Sequence, residues 1–386
     1  MRNMAATQER GIKPTVLFDR YLLLSAAIIV FMGLLMVAST SINLSSHFYH
    51  HPFRYLTRQT AYLALGLFCA VFILKTPVKT WQAFSPALLL LGLFLLVLVL
   101  IPGIGKQVNG SMRWLGAGPI SIQVSELMKL GMVVYLASYL VRHQTEIRTR
   151  LIGFIKPMLI LVIICCLLLK EPDFGAATVI LTTSLGMMFL AGARLGQFLG
   201  LLALCLSSLA MLAISSPYRL QRLTSFLNPW ANQFDSGYQL TQSLIAFGRA
   251  GWLGMGLGGS IQKLFYLPEA HTDFLFAILT EELGLIGGLF IIATYFLLVT
   301  RTFIIGRQAQ QAQKTFAAYV AYGIGLWIGL QVLINIGVNM GILPTKGLTL
   351  PLMSYGGSSI LINCAAIALL VRIDYETRKA NLGLNF

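Results

Sequence analysis

The residues of this 386-residue chain with the most chemistry to offer are charged groups in or beside apolar runs. Asp273 stands in Leu267-Pro-Glu-Ala-His-Thr-Asp-Phe, where a polar stretch gives way to an apolar one, with Glu269 and His271 beside it. A carboxylate at such a boundary can act as a general base. It can also cap the helix that follows, as can Thr272, because an oxygen there satisfies free N–H groups and suits the helix dipole. Glu269 and His271 make the cluster denser than a cap requires. Glu126 and Lys129, in Ser125-Glu-Leu-Met-Lys, have the i,i+3 spacing that puts both on one helix face. They can neutralise each other inside a membrane or face a cavity and tune another group, and the two roles are compatible. Glu281 and Glu282 follow two turns beyond Asp273, at a depth where acids face a bundle interior and bond to neighbouring helices. Lys170, Glu171 and Asp173 flank Pro172 in what reads as a charged hairpin tip at the interface, with a catalytic role as the alternative because the turn faces the same side as the long loop. The segment Leu343-Pro-Thr-Lys-Gly-Leu-Thr-Leu-Pro-Leu-Met-Ser-Tyr-Gly-Gly-Ser-Ser is poor continuous helix. Irregular backbone at membrane depth persists where it lines a polar cavity. Free N–H groups and Lys346 there would suit an anion such as a pyrophosphate. A kinked helix start is the plainer alternative.

The elements that must position these groups are set by composition. Hydrophobic residues make up 57% of the chain and charged residues 11%. A water-soluble surface cannot be covered from that supply, so lipid must replace water around the protein. Apolar segments at 21–40, 61–74, 84–101, 124–141, 154–169, 175–191, 197–214, 274–300, 316–340 and 350–371 predict an all-α integral membrane protein of about ten transmembrane helices. The segments 61–74 and 154–169 are short for a straight span and need their flanks.

The net charge of +15 would suggest nucleic acid in a soluble chain, but here the basic residues lie between apolar runs. Alternating the helices across the bilayer puts most Lys and Arg on one side. Both termini are therefore expected in the cytoplasm, as an N-terminal tail over 1–20 and a C-terminal tail over 373–386, with the membrane domain over 21–372. The start reads as a retained start-transfer helix and not a cleaved signal. Residues 215–273 form a large extracytoplasmic loop between helices seven and eight, too long for a simple connection, with a short interfacial helix expected near 237–249. Cys69, Cys165, Cys166, Cys205 and Cys364 all lie in apolar runs and read as small apolar residues, neither disulfides nor metal ligands.

Six stretches carry a resemblance to a known family: 106–114, 123–129, 171–177, 267–274, 281–284 and 344–359. In order and spacing they are similar to the SEDS family (shape, elongation, division and sporulation), over nearly the whole chain. The closing Arg372-Ile-Asp-Tyr-Glu-Thr-Arg resembles the division branch more than the elongation branch. Met112 and Met353 depart from the family's usual residues.

The resemblance implies a SEDS fold and a peptidoglycan glycosyltransferase that polymerises lipid II at the outer face of the cytoplasmic (inner) membrane, at the division septum. It implies a class B penicillin-binding transpeptidase of the FtsI type as partner, among other division membrane proteins and membrane lipid, with no nucleic acid. It further implies that Asp273 is the essential carboxylate, that Glu126 and Lys129 lie near it, and that a divalent cation, Mg or Mn, takes part without an organic cofactor. The sequence shows no dedicated ligand set for that metal.

Because lipid II carries an α-linked pyrophosphate and the glycan is β-1,4 linked, the reaction inverts the anomeric centre. One general base on the acceptor suffices, and the leaving pyrophosphate needs positive charge. Arg219, Arg222, Lys263 and Lys346 lie on the required side, and His271 and Ser358 join them as candidate substrate contacts. A lipid II flippase and a non-catalytic division scaffold stay open as alternatives.

Overall fold

The computed structural model describes residues 18–108, 111–116, 121–193 and 226–382, with positions 196, 200, 203, 207 and 211. The expected seventh helix at 197–214 falls almost wholly outside the described residues, as do Arg219, Arg222 and most of the N-terminal tail.

Helix α1 spans Arg20–Tyr49, α2 Arg54–Lys75 and α3 Val78–Val99. Then come α4 Val124–Arg142, the short α5 Gln144–Thr149, α6 Leu151–Lys170 and α7 Phe174–Leu190. After the undescribed stretch, α8 spans Tyr238–Ala250, α9 Leu275–Gln311, α10 Thr315–Asn339 and α11 Gly357–Asn381. Among the described residues, eight of these helices are long and apolar enough to cross a membrane, and α7 is a further apolar helix of 17 residues. The two short sequence segments gain their length from flanks: α2 begins at Arg54 and α6 at Leu151.

The helices sort by what they face. Helices α4, α10 and α11 bury most of their surface. Helices α2 and α3 leave Phe68, Phe72, Phe84 and Phe94 exposed around the outside. Such rings are costly against water but suit lipid tails, so the burial pattern is that of a bundle in a bilayer.

Three features depart from the sequence expectation. First, a small antiparallel sheet, β1 Lys106–Val108, β2 Ser111–Leu115 and β3 Ile122–Gln123, joins α3 to α4. Its strands are too short to show a period. Second, α11 runs on to Asn381, past the apolar segment that ends at Val371. The i,i+4 pairs Arg372–Glu376 and Asp374–Arg378 carry the helix into the polar region, and Glu376 also accepts from the Val78 N–H at 3.0 Å. Asp19 caps α1 through the Leu22 N–H and pairs with Arg301 and Arg378, tying three helices together at that end.

Third, α9 is broken at Gly284, which has φ 72° and ψ −175°. The break frees peptide groups that lipid cannot satisfy. Backbone from the loop satisfies them: Met255 and Gly256 N–H donate to the Glu281 and Glu282 carbonyls at 2.9 and 3.0 Å, while Leu285 and Ile286 N–H donate to the Gly251 and Trp252 carbonyls at 3.0 and 3.3 Å. Side chains lock the same junction. Lys263 Nζ lies 2.7 Å from Glu282 Oε1 and donates to Ser39 Oγ at 2.9 Å, while Arg249 Nε lies 3.3 Å from Glu281 Oε1. Among the described residues, Glu281 and Glu282 thus bind mainly the long loop, including Arg249 of its helix α8, and Glu282 also binds Ser39 of α1.

Candidate active site

The Asp273 segment is a tight, self-bonded turn. Glu269 has a left-handed φ of 57°, its carbonyl accepts from the Thr272 and Phe274 N–H groups, and its carboxylate accepts from Thr272 Oγ1 at 2.7 Å. This turn presents Asp273 immediately before α9. Asp273 does not cap that helix. Phe274 occupies the cap position with no side-chain cap, and Asn339 Oδ1 accepts from the Ala277 N–H at 3.2 Å.

A second irregular segment, 344–356, packs against Asp273. No helix forms there, so the kinked-start reading is set aside; α11 begins only at Gly357. Its peptide groups are taken by side chains from three helices. Gln331 Nε2 donates to the Thr349 carbonyl at 2.8 Å, and Asn335 Nδ2 donates to the Leu348 carbonyl. Gln59 bridges Ser354 and Gly356, and Tyr295 Oη donates to the Pro351 carbonyl at 2.6 Å. Each buried peptide group so paired avoids a penalty of about 1–3 kcal/mol. At Gly347 the fit is closest: a Cβ there would lie 3.0 Å from Asp273 Oδ2. The carboxylate thus occupies the space that any side chain at 347 would need.

The third wall is the turn between α6 and α7, clamped by Arg113 of β2. The guanidinium donates to the Glu171 and Pro172 carbonyls. In the expected interfacial hairpin tip, Lys170 and Pro172 stay exposed while Glu171 and Asp173 turn inward and are buried. Asp173 caps α7 through the Ala176 N–H at 3.1 Å and accepts from Ser125 Oγ at 2.9 Å. Glu171 is fully buried, and burial with Asp173 nearby pushes its carboxyl up to about 8 despite Arg113. Burial likewise pushes the Asp273 carboxyl up to about 7, with Glu269 and Asp173 adding to the shift and Arg113 opposing it. His271 stacks edge-on against Tyr55 at 5.0 Å and tilts against Tyr355 at 5.5 Å; burial pushes its imidazole down, against the pull of Glu269.

The other expected site residues divide. Lys346 lies on the Gly347 side of the site, its Nζ 4.9 Å from the centre of the Phe174 ring. Lys263 does not join the cluster, because Glu282 holds it in a buried pair. Ser358 is committed to the scaffold: its Oγ accepts from the Gln123 N–H at 2.7 Å and donates to the Ser121 carbonyl.

Lys129 and Glu126 form a buried pair at 2.8 Å, and Lys129 also donates to Gln331 Oε1 at 2.8 Å beneath the Trp327 ring. It therefore reaches the site through Gln331 and Thr349. Lys129→Met would leave Glu126 buried beside only its own unpartnered Oε2, at a cost of about 3–5 kcal/mol. Thermal unfolding in detergent should show that loss, with partial recovery in Glu126→Gln/Lys129→Met. An unchanged midpoint for Lys129→Met would disprove the structural role.

Residues that sequence reading undervalued are Arg113 and the amides Gln331, Asn335 and Asn339. The amides recur every fourth residue along an apolar helix, which is one face of α10 and a visible signal. Among the described residues, no group of three His, Cys, Asp or Glu side chains is placed to hold a metal ion. The site therefore offers two carboxyls of raised proton affinity, Asp273 and Glu171, with the Arg113 guanidinium acting on both, and Asp273 is suited to taking a proton from an alcohol near an anionic leaving group.

Known proteins are similar to this chain in sequence and in fold. A relative in Legionella pneumophila, named "Probable peptidoglycan glycosyltransferase FtsW", is 55% identical over 96% of this chain and 94% of its own. One of the same name in Coxiella burnetii is 58% identical over 93% and 97%. Among solved structures, a chain of "Structural coordination of polymerization and crosslinking by a peptidoglycan synthase complex" superposes with a TM-score of 0.77 at 28% identity, covering 93% of this chain and 98% of that one. The rod shape determining protein RodA of Thermus thermophilus gives 0.68 at 27% identity, covering 92% and 96%. The cell cycle protein family typified by FtsW, RodA and SpoVE matches residues 19–379, and this multi-pass membrane chain belongs to it.

Proposed function

We infer that this protein is a peptidoglycan glycosyltransferase that polymerises lipid II at the outer face of the cytoplasmic membrane, with inversion at the anomeric carbon and Asp273 as general base. The names of its relatives support the activity. The observation that carries the mechanism is the Asp273 carboxylate, seated against Gly347, the residue after Lys346, within the field of Arg113 and without a capping duty. The acceptor 4-hydroxyl gives its proton to Asp273 as its oxygen attacks the anomeric carbon, and the pyrophosphate departs from the opposite face. Lys346 and Arg113 are the described cations placed to offset the charge that develops on it. Among the described residues no group of three His, Cys, Asp or Glu side chains forms a dedicated metal cage, and no step here runs through a metal.

The division branch, a septal location, cytoplasmic termini and a class B transpeptidase partner of the FtsI type complete the reading. The similar synthase complex supports the partner. Purified protein with that transpeptidase, supplied with lipid II in detergent, should yield glycan polymer. Transport of lipid II without polymer would point to a flippase, and neither activity to a scaffold.

The base must be ionised to act. With its carboxyl raised to about 7, the rate should be full above that pH and fall tenfold per unit well below it. A pH–rate profile of polymerisation checks this; a rate flat from pH 5 to 8, over roughly the span in which such a group titrates, would contradict it.

A further inference from the structure

We propose that Asn339 is a positioning residue that caps α9 from α10 and thereby keeps the Asp273 carboxylate out of the helix N-terminus and against Gly347. The proposal rests on the reading of Asp273 as the base.

Asn339 is fully buried. Its Oδ1 accepts from Ala277, the third N–H of α9 and the usual partner of a capping side chain. Its Nδ2 donates to the Asp273 carbonyl at 3.0 Å and to the Asn335 carbonyl at 2.8 Å. The amide cannot be turned over without setting oxygen against two carbonyls and NH2 against an N–H, so its partners fix its orientation. Asn335 Nδ2 donates to the same Asp273 carbonyl at 2.8 Å and to Leu348, one residue from Gly347. Two amides of α10 therefore hold both sides of the gap in which the carboxylate sits. The backbone of Asn339 is itself held, since its carbonyl accepts from Ser243 Oγ of α8 at 2.8 Å.

The arrangement resolves a conflict in the sequence. An aspartate just ahead of an apolar helix is a ready capping group. A capping carboxylate accepts backbone N–H bonds, its proton affinity falls, and it points along the helix instead of toward a substrate. With the cap supplied by a neutral amide, Asp273 keeps a raised proton affinity and its place beside Gly347. The charged and titratable groups around Asp273 are Glu269 and His271 of its own turn, Asp173 of the α6–α7 turn, Arg113 of β2 and Lys346 of the 344–356 segment. Helix α10 presents amides there. Replacing Asn339 leaves all of those charges in place, so a change in pH behaviour reports the cap.

The test is polymerisation of lipid II by Asn339→Ala with its transpeptidase, measured as kcat and KM across pH, with partner binding and unfolding temperature as checks on folding. Expected are a kcat lower by about 10²-fold, the effect of a displacement near 1 Å, and a KM within about twofold of the parent. The acidic limb of the profile should also move down by about one pH unit, the size of a helix-terminus interaction. An unmoved acidic limb would overturn the proposal, whatever happens to kcat or to stability.

Asn339→Leu removes the cap with nearly the same side-chain volume and no new charge, and decides the matter if Asn339→Ala fails to fold. A limb below the parent's supports the proposal, and an unmoved limb overturns it. Full activity in Asp273→Asn would instead remove the base assignment itself, independently of either Asn339 variant.

Discussion

Asp273→Asn is expected to lower lipid II polymerisation by about 10³-fold while leaving the protein folded and bound to its transpeptidase, since general acid–base catalysis contributes roughly 10²–10⁴. The substitution is nearly isosteric, so Gly347 still meets an atom where Asp273 Oδ2 now lies. The Asp273 carbonyl keeps its bonds from Asn335 and Asn339. Removing a carboxyl from a buried setting shared with Glu269 and Asp173 relieves repulsion, so stability should hold or rise slightly. What disappears is the acceptor for the hydroxyl proton. Residual turnover would come from positioning and from the cations near the leaving group. Glycan chain formation from labelled lipid II measures the effect, and turnover within about tenfold of the parent would exclude Asp273 as the base.

Gly284→Ala is expected to be among the most damaging single-methyl changes at the described residues. The residue combines φ 72° with ψ −175°, a region open to essentially no residue but glycine. A Cβ there would lie 2.3 Å from the Trp252 carbonyl oxygen and 2.4 Å from the Gly254 nitrogen. Both are backbone atoms of the loop segment docked into the helix break, so no side chain can swing aside. Relief requires the segment to withdraw, which gives up the backbone bonds of residues 251–256 and loosens the Lys263–Glu282 and Arg249–Glu281 pairs. Strain of about 1–3 kcal/mol and peptide groups left unpaired in lipid, several kcal/mol each, together exceed the margin of a typical fold.

Gly256→Ala is the control. Its φ is 85°, but nothing lies within 4 Å of the added methyl, so it should cost only the backbone strain, about 1–3 kcal/mol. Unfolding midpoints in detergent and protease nicking of the loop should rank the parent first, Gly256→Ala next and Gly284→Ala last. Equal midpoints for the two variants would show that the loop does not fill the break.

Much of this architecture is legible in the sequence because a bilayer leaves few choices. Long apolar runs must become helices, and nine of the ten expected segments correspond to described helices, the tenth lying almost wholly outside the described residues. Limits at helix ends were harder to read. Arg54 and Arg58 interrupt the apolar pattern, yet they sit in the first turns of α2, where long side chains reach the interface.

Charge sign and membrane side brought Lys263 forward as a substrate contact. They carry no information on pairing, and Glu282, nineteen residues on, claims that lysine. Arg113 stayed in the background because its role depends on a sheet of two- to five-residue strands that has no sequence period. The Asp273 cluster stood out because titratable groups are dense there. The amides that hold it are neutral and sit in an apolar helix, where only their four-residue spacing marks them.

The central claim is that Asp273 holds and releases a proton in the working pH range. Infrared difference titration of the intact protein, with Asp273→Asn as the reference that removes one carboxyl, follows that proton directly. The structure predicts a protonated-carboxyl band, absent from the variant, that disappears around pH 7 in step with the rise in polymerisation rate. A carboxyl already ionised at about pH 5, in the ordinary range for aspartate, with the rate still rising through neutrality, would contradict it.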